Sequence, residues 1–174
     1  MKIFEASHVF DHSWDQVSAG IHKKYPNEVS THVVAVDVLN RELSKNGNLH
    51  SERLLTCRQN APRWIVAMFG GNQDAYVREV SEIDLRKKTI TIRSTNMTWA
   101  NIINVEETVT YRPSTSHPTT QTNFEQDAKI TAFGAFSKLR GAMEDFVAER
   151  FGQNASKGQE GFDRVLQRIS RQHE

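Results

Sequence analysis

Apolar positions recur along this chain with two different rhythms, and the change between them falls shortly after Phe133. Before it, apolar-rich runs read as strands: Ile3 to Phe10, Thr31 to Leu43, Leu49 to Arg58, Tyr76 to Asp84, Thr89 to Met97, Ile103 to Arg112 and Thr120 to Phe133. Lys45-Asn46-Gly47-Asn48 supplies a hairpin turn between the second and third, and Pro113 to Thr119 is turn-rich. Ser13-Trp14-Asp15-Gln16 has the spacing of a capping box, which predicts a helix that ends near Tyr25-Pro26. From Ala135 to Ser170 the pattern is helical, which at 1.5 Å per residue is on the order of 50 Å. A helix of that length must cross the whole domain. One strand, one helix, many meandering strands and a long final helix predict an α+β fold in a single domain, residues 1–174, its antiparallel sheet curved around the terminal helix.

The long helix carries an interrupted stripe. Phe136, Leu139, Met143, Phe146 and Val147 share one face, and Arg150, Asn154, Lys157 and Gly161 continue it before apolar residues resume at Phe162, Val165, Leu166 and Ile169. Cations buried there would need a partner, and an anionic ligand such as a phosphate would serve. The alternative is that this stretch simply faces water. Gly141, Gly152, Gly158 and Gly161 each weaken the helix by roughly 1 kcal/mol relative to Ala, so a bend or a close approach by another element is expected in its second half.

Between the third and fourth strands lies Ala61 to Gly71, apolar on nearly all sides. Pro62 suits a first helical turn, Trp64, Ile65, Met68 and Phe69 are the apolar payload, and Gly70-Gly71 can end the helix and act as a hinge. The segment reads as a core plug, a lid over a cavity or a membrane-touching element.

Composition narrows the chemistry. A net charge of +1 with 25% charged residues gives no electrostatic footprint for nucleic acid. The single Cys57 excludes an internal disulfide, and no Cys/His spacing supports a metal site. No nucleophile elbow, phosphate-binding glycine loop or zinc-protease motif is present, so neither an enzyme nor a cofactor is expected. Neither a signal peptide nor a transmembrane run is expected from its apolar pattern. Glu106-Glu107 and Glu144-Asp145 read as surface charge, because neighbouring residues point in different directions. Lys23-Lys24, Arg53, Arg58, Arg150 and Lys157, with His32, would form an anion site if gathered at one end of a cavity. Arg53 sits least easily as a solvated charge, since Leu54 and Leu55 follow it in a strand that should bury one face.

Lys2-Ile3-Phe4 through Phe10 and Trp14, then Lys24-Tyr25-Pro26-Asn27, His32-Val33, Val36 to Leu39, Arg53-Leu54-Leu55, Glu79-Val80-Ser81 with Asp84, Val109-Thr110-Tyr111 and Asn154-Ala155-Ser156-Lys157-Gly158 closely resemble the PRELI-domain family, most of all its slowmo branch. The resemblance spans essentially the whole chain. It implies a phospholipid-transfer protein of the mitochondrial intermembrane space, with a seven-stranded sheet gripping a long helix around a lipid cavity. It also implies a small helical partner with twin Cys-x-nine-Cys motifs and peripheral contact with anionic membranes. By position, the head-group end corresponds to Lys24, His32, Arg53, Asn154 and Lys157, with Arg150 close by. The lid corresponds to Ala61 to Gly71. Members of the phosphatidic-acid type carry lysines between the Arg-Leu-Leu run and the lid, whereas this chain has Thr56, Cys57, Gln59 and Asn60, leaving Arg58. The slowmo branch implies phosphatidylserine, moved from outer to inner membrane. Phosphatidic acid transfer by the same fold and a non-transporting interaction module are the alternatives.

Overall fold

Strand pairing in the computed structural model, which describes residues 1–58, 74–133 and 137–172, closes the sheet in a simple order. The strands are β1 (Lys2–Phe10), β2 (Val33–Leu43), β3 (Leu49–Arg58), β4 (Asp74–Asp84), β5 (Thr89–Asn96), β6 (Ile103–Pro113) and β7 (Thr122–Ala132), all antiparallel to their neighbours. Spatial order is β1-β7-β6-β5-β4-β3-β2, a meander from β2 to β7 with the first strand closing on the last. Helix α1 (Trp14–Gly20) starts at the expected capping box: Ser13 Oγ accepts from the Gln16 N–H, and the Gln16 side chain accepts from the Ser13 N–H. It ends earlier than expected, running into a 3₁₀ turn, Ile21–Lys23, that delivers Lys24. The terminal helix α2 (Ser137–Arg171) is continuous for 35 residues and packs on β1, β7 and α1.

Two of its glycines mark close approaches. A Cβ at Gly161 would lie 2.4 Å from Asn27 Oδ1, and one at Gly152 would lie 3.3 Å from the Phe4 ring. The Asn27 side chain also donates to the Lys24 carbonyl (2.7 Å) and accepts from the Val29 and Ser30 N–H groups (3.0 and 2.7 Å). One amide thus ties the loop that carries Lys24 and seats it against bare helix backbone.

The interior is not one continuous core. A large cluster of Phe10, Trp14, Ile90, Tyr111, Phe124 and Phe162 fills one end. A second, around Ile103, Ile130 and Met143, joins β6 and β7 to the start of α2, and a third, around Val33, Leu55 and Cys57, joins β2 to β3. All three contribute to the walls of one cavity between sheet and helix.

Candidate lipid site

Register across the sheet sets the character of this cavity, which has a volume of about 290 Å³. In strands with one inward face, residues directly opposite one another form rows perpendicular to the strands. One inward row reads Arg53, Glu79, Ser94, Glu107 across β3 to β6, each directly paired with the next. On the packed-end side lies Ser51, Ser81, Ile92, Val109, Gln126, followed by the apolar row Leu49, Ile83, Ile90, Tyr111, Phe124. On the other side Leu55 pairs with Val77. A polar band therefore crosses the middle of an otherwise apolar inner face.

Within the band, Arg53 is 2% exposed and donates from Nε (2.8 Å) and Nη2 (2.5 Å) to Glu79 Oε1, so this guanidinium is satisfied by the protein itself. Glu107 accepts from Gln126 Nε2 (2.5 Å). Burial pushes the Glu107 carboxyl above its ordinary value, against the opposing pull of Gln126 and Lys24.

Lys24 reaches the same space from the end of the 3₁₀ turn. Its ammonium lies over the Tyr25 ring (5.2 Å) and the Phe162 ring (5.8 Å). Among the described residues no carboxylate forms an ion pair with it. Burial works against the charge, but Tyr111, Tyr25, Glu107 and Glu79 outweigh it and hold the ammonium above its ordinary value. Protein surrounds Lys24, yet it keeps accessible surface, and that surface is cavity wall. His32 also lines the cavity; burial, then the Lys157 and Lys24 charges, push its imidazole down. Its Nδ1 is buried without a partner among the described residues.

Phe136 of the expected helix stripe lies outside the described residues, and from Met143 onward the stripe divides. Asn154, Ala155 and Gly158 line the cavity, so the polar interruption lies where the helix faces a hollow. Arg150 reaches the wall as well but is exposed, stacked on Phe146 at 5.6 Å and bonded to Gln153. Lys157 is exposed and does not line the cavity; its carbonyl accepts from Ser30 Oγ at 3.3 Å. The Lys157 side chain faces solvent, while the cations that line the cavity beneath it are the half-buried Lys24 and the buried Arg53. Arg58 stands apart too, paired with Asp74 at 2.8 Å on an exposed part of the sheet. The expected lid, with Pro62, Trp64, Ile65, Met68, Phe69, Gly70 and Gly71, lies outside the described residues.

Two acidic readings need correction. Glu106 is exposed, but Glu107 shares the inward phase of Val105 and Val109 and lines the cavity. Glu144 is 5% exposed, accepting from the Ala132 N–H (3.0 Å) and the Met1 ammonium (2.5 Å). Sequence reasoning also missed Gln126 and Trp99. Trp99 holds a positive φ of 60° in the turn before β6 and contributes to the wall.

A family model described as PRELI-like matches residues 15–172. The chain belongs to the PRELI-like family. Protein UPS2, mitochondrial, of Saccharomyces cerevisiae is 52% identical over 171 residues, covering 98% of this chain and 74% of that protein. The slowmo homolog of Dictyostelium discoideum is 29% identical over 180 residues, covering 100% and 75%. Among solved structures, TTHA0849 from Thermus thermophilus superposes with a TM-score of 0.67 over 97% of this chain and 99% of that one, at 12% identity. That likeness is one of fold. In this PRELI-like chain the Lys24-Tyr25-Pro26-Asn27 segment has a physical role: it carries the cavity cation and ties its loop to α2.

Proposed function

We propose that this PRELI-like protein is a non-enzymatic phospholipid carrier that moves phosphatidylserine from the outer to the inner mitochondrial membrane across the intermembrane space. The observation that carries the reading is Lys24: a cation beside two aromatic rings, with no carboxylate in an ion pair with it among the described residues, at the polar band of an otherwise apolar cavity. A phosphate would complete it. Acyl chains would lie toward Met143, Val147 and Ile103, and burying them at roughly 0.8 kcal/mol per CH₂ offsets the loss of the bilayer. The mitochondrial setting follows the name of the relative UPS2. The small twin Cys-x-nine-Cys helical partner belongs to this reading as the chain's companion in that compartment. The scarcity of cations between Leu55 and Asn60 favours a serine head group over bare phosphatidic acid.

The test is transfer between donor and acceptor liposomes. Wild-type protein moves phosphatidylserine, and Lys24→Met, which keeps the aliphatic stem and drops the charge, loses tenfold or more at unchanged melting temperature. Equal transfer by the variant would refute the assignment.

A further inference from the structure

Resting on the carrier reading, we propose that Glu107 and Gln126 form an acceptor site for a primary ammonium, so that the cavity selects phospholipids whose head group carries one. Arg53 and Glu79 neutralise each other in direct contact. That leaves one buried cation, Lys24, and one carboxylate, Glu107, on the same cavity wall, each within the other's field and neither in an ion pair among the described residues. A ligand with separated negative and positive groups fits between them.

Gln126 makes the site specific. It is 6% exposed, its Nε2 is committed to Glu107 Oε1, and its Oε1 is buried without a partner among the described residues. The amide orientation follows from its neighbour, because a carboxylate accepts and the NH₂ must face it. The carbonyl is then a buried orphan acceptor on a residue of the cavity wall, and a buried acceptor left unmade is costly. A phosphate diester has no hydrogen to give it, nor has a choline head group, whose nitrogen is fully methylated, and the monoester of phosphatidic acid has none once its second proton is lost. A serine or ethanolamine ammonium has three, enough for Gln126 Oε1 and Glu107 together. His32 Nδ1, the other partnerless buried side-chain atom among the described residues, belongs with Lys24 on the anion side. A site with polar groups awaiting a donor discriminates strongly against analogues that lack one.

The experiment is a transfer panel with phosphatidylserine, phosphatidylethanolamine, phosphatidylcholine and phosphatidic acid, run on wild type, Glu107→Gln and Gln126→Leu with melting temperatures alongside. The expected result is wild-type preference for the serine or ethanolamine lipid over the other two, and a tenfold or greater fall in the ratio of serine-lipid to phosphatidic-acid transfer in both variants. A ratio that does not move, or a wild type that carries phosphatidylcholine or phosphatidic acid as well as the ammonium lipids, overturns the site while leaving a carrier. A wild type that moves no phospholipid overturns the carrier reading beneath it. Should a variant fail to fold, the wild-type panel and the other variant decide.

Discussion

Arg53 and Glu79 face each other across β3 and β4, the guanidinium Nε and Nη2 converging on one carboxylate oxygen inside the protein. Removing either partner strands a charge where water does not compensate it. Arg53→Ala or Glu79→Ala should each cost about 3–5 kcal/mol of stability, while the double replacement Arg53→Met with Glu79→Leu should recover most of it. Urea denaturation of the three variants checks this. Additive losses in the double variant would mean the pair is not coupled as described.

Gly161 permits Asn27 to sit where a side chain would be, so Gly161→Ala is expected to destabilise despite alanine's better helix propensity. Overpacking costs about 1–3 kcal/mol. The same change should weaken lipid binding, since Asn27 ties down the loop bearing Lys24. Thermal melting and a lipid-binding assay on one sample read both effects.

The fold is largely legible in the chain because its signals are local. The Ser13 capping box, the Lys45 to Asn48 turn and the phase of each strand are set by neighbours a few residues apart. The site is less so, because its polar band is a product of register: Arg53, Glu79, Ser94 and Glu107 meet across four strands. One clue is present in the chain. If Glu106 and Glu107 point to opposite faces, and Val105 and Val109 face inward, Glu107 must face inward too. Arg53 is conspicuous for the same reason, whereas the pairing that satisfies it emerges only from the sheet. Helix phase alone aims Lys157 along the inward stripe, and the structure turns its side chain to solvent.

His22 predicts a pH effect. Burial, then the Arg41 and Arg53 charges, push its imidazole from 6.5 down to about 4. The unfolded chain therefore takes up the proton first, so this contribution to stability is complete above about pH 6.5 and is lost as pH falls toward 4. Denaturation midpoints measured across that window should decline, and His22→Gln should flatten the decline. An unchanged slope in the variant would contradict the assignment.

Glu144 anchors the start of α2 to the end of β7 by accepting from the Ala132 N–H. Glu144→Ala leaves that buried donor without its acceptor, an expected loss of about 1–3 kcal/mol. That backbone bond, then the Met1 ammonium, hold its carboxyl below the ordinary value, so the stabilisation is present above about pH 4.5 and fades as pH drops through the folded value. Chemical denaturation at neutral and acidic pH, wild type against variant, measures both.

Whether a phospholipid is held between sheet and helix with its phosphate on Lys24 is decided by native mass spectrometry of the protein after incubation with vesicles containing phosphatidylserine. The expected spectrum shows a population heavier by one phospholipid, strongly depleted in Lys24→Met. A chain that emerges at its bare mass from every incubation would contradict the carrier reading, and an adduct indifferent to Lys24 would contradict the placing of the phosphate on Lys24.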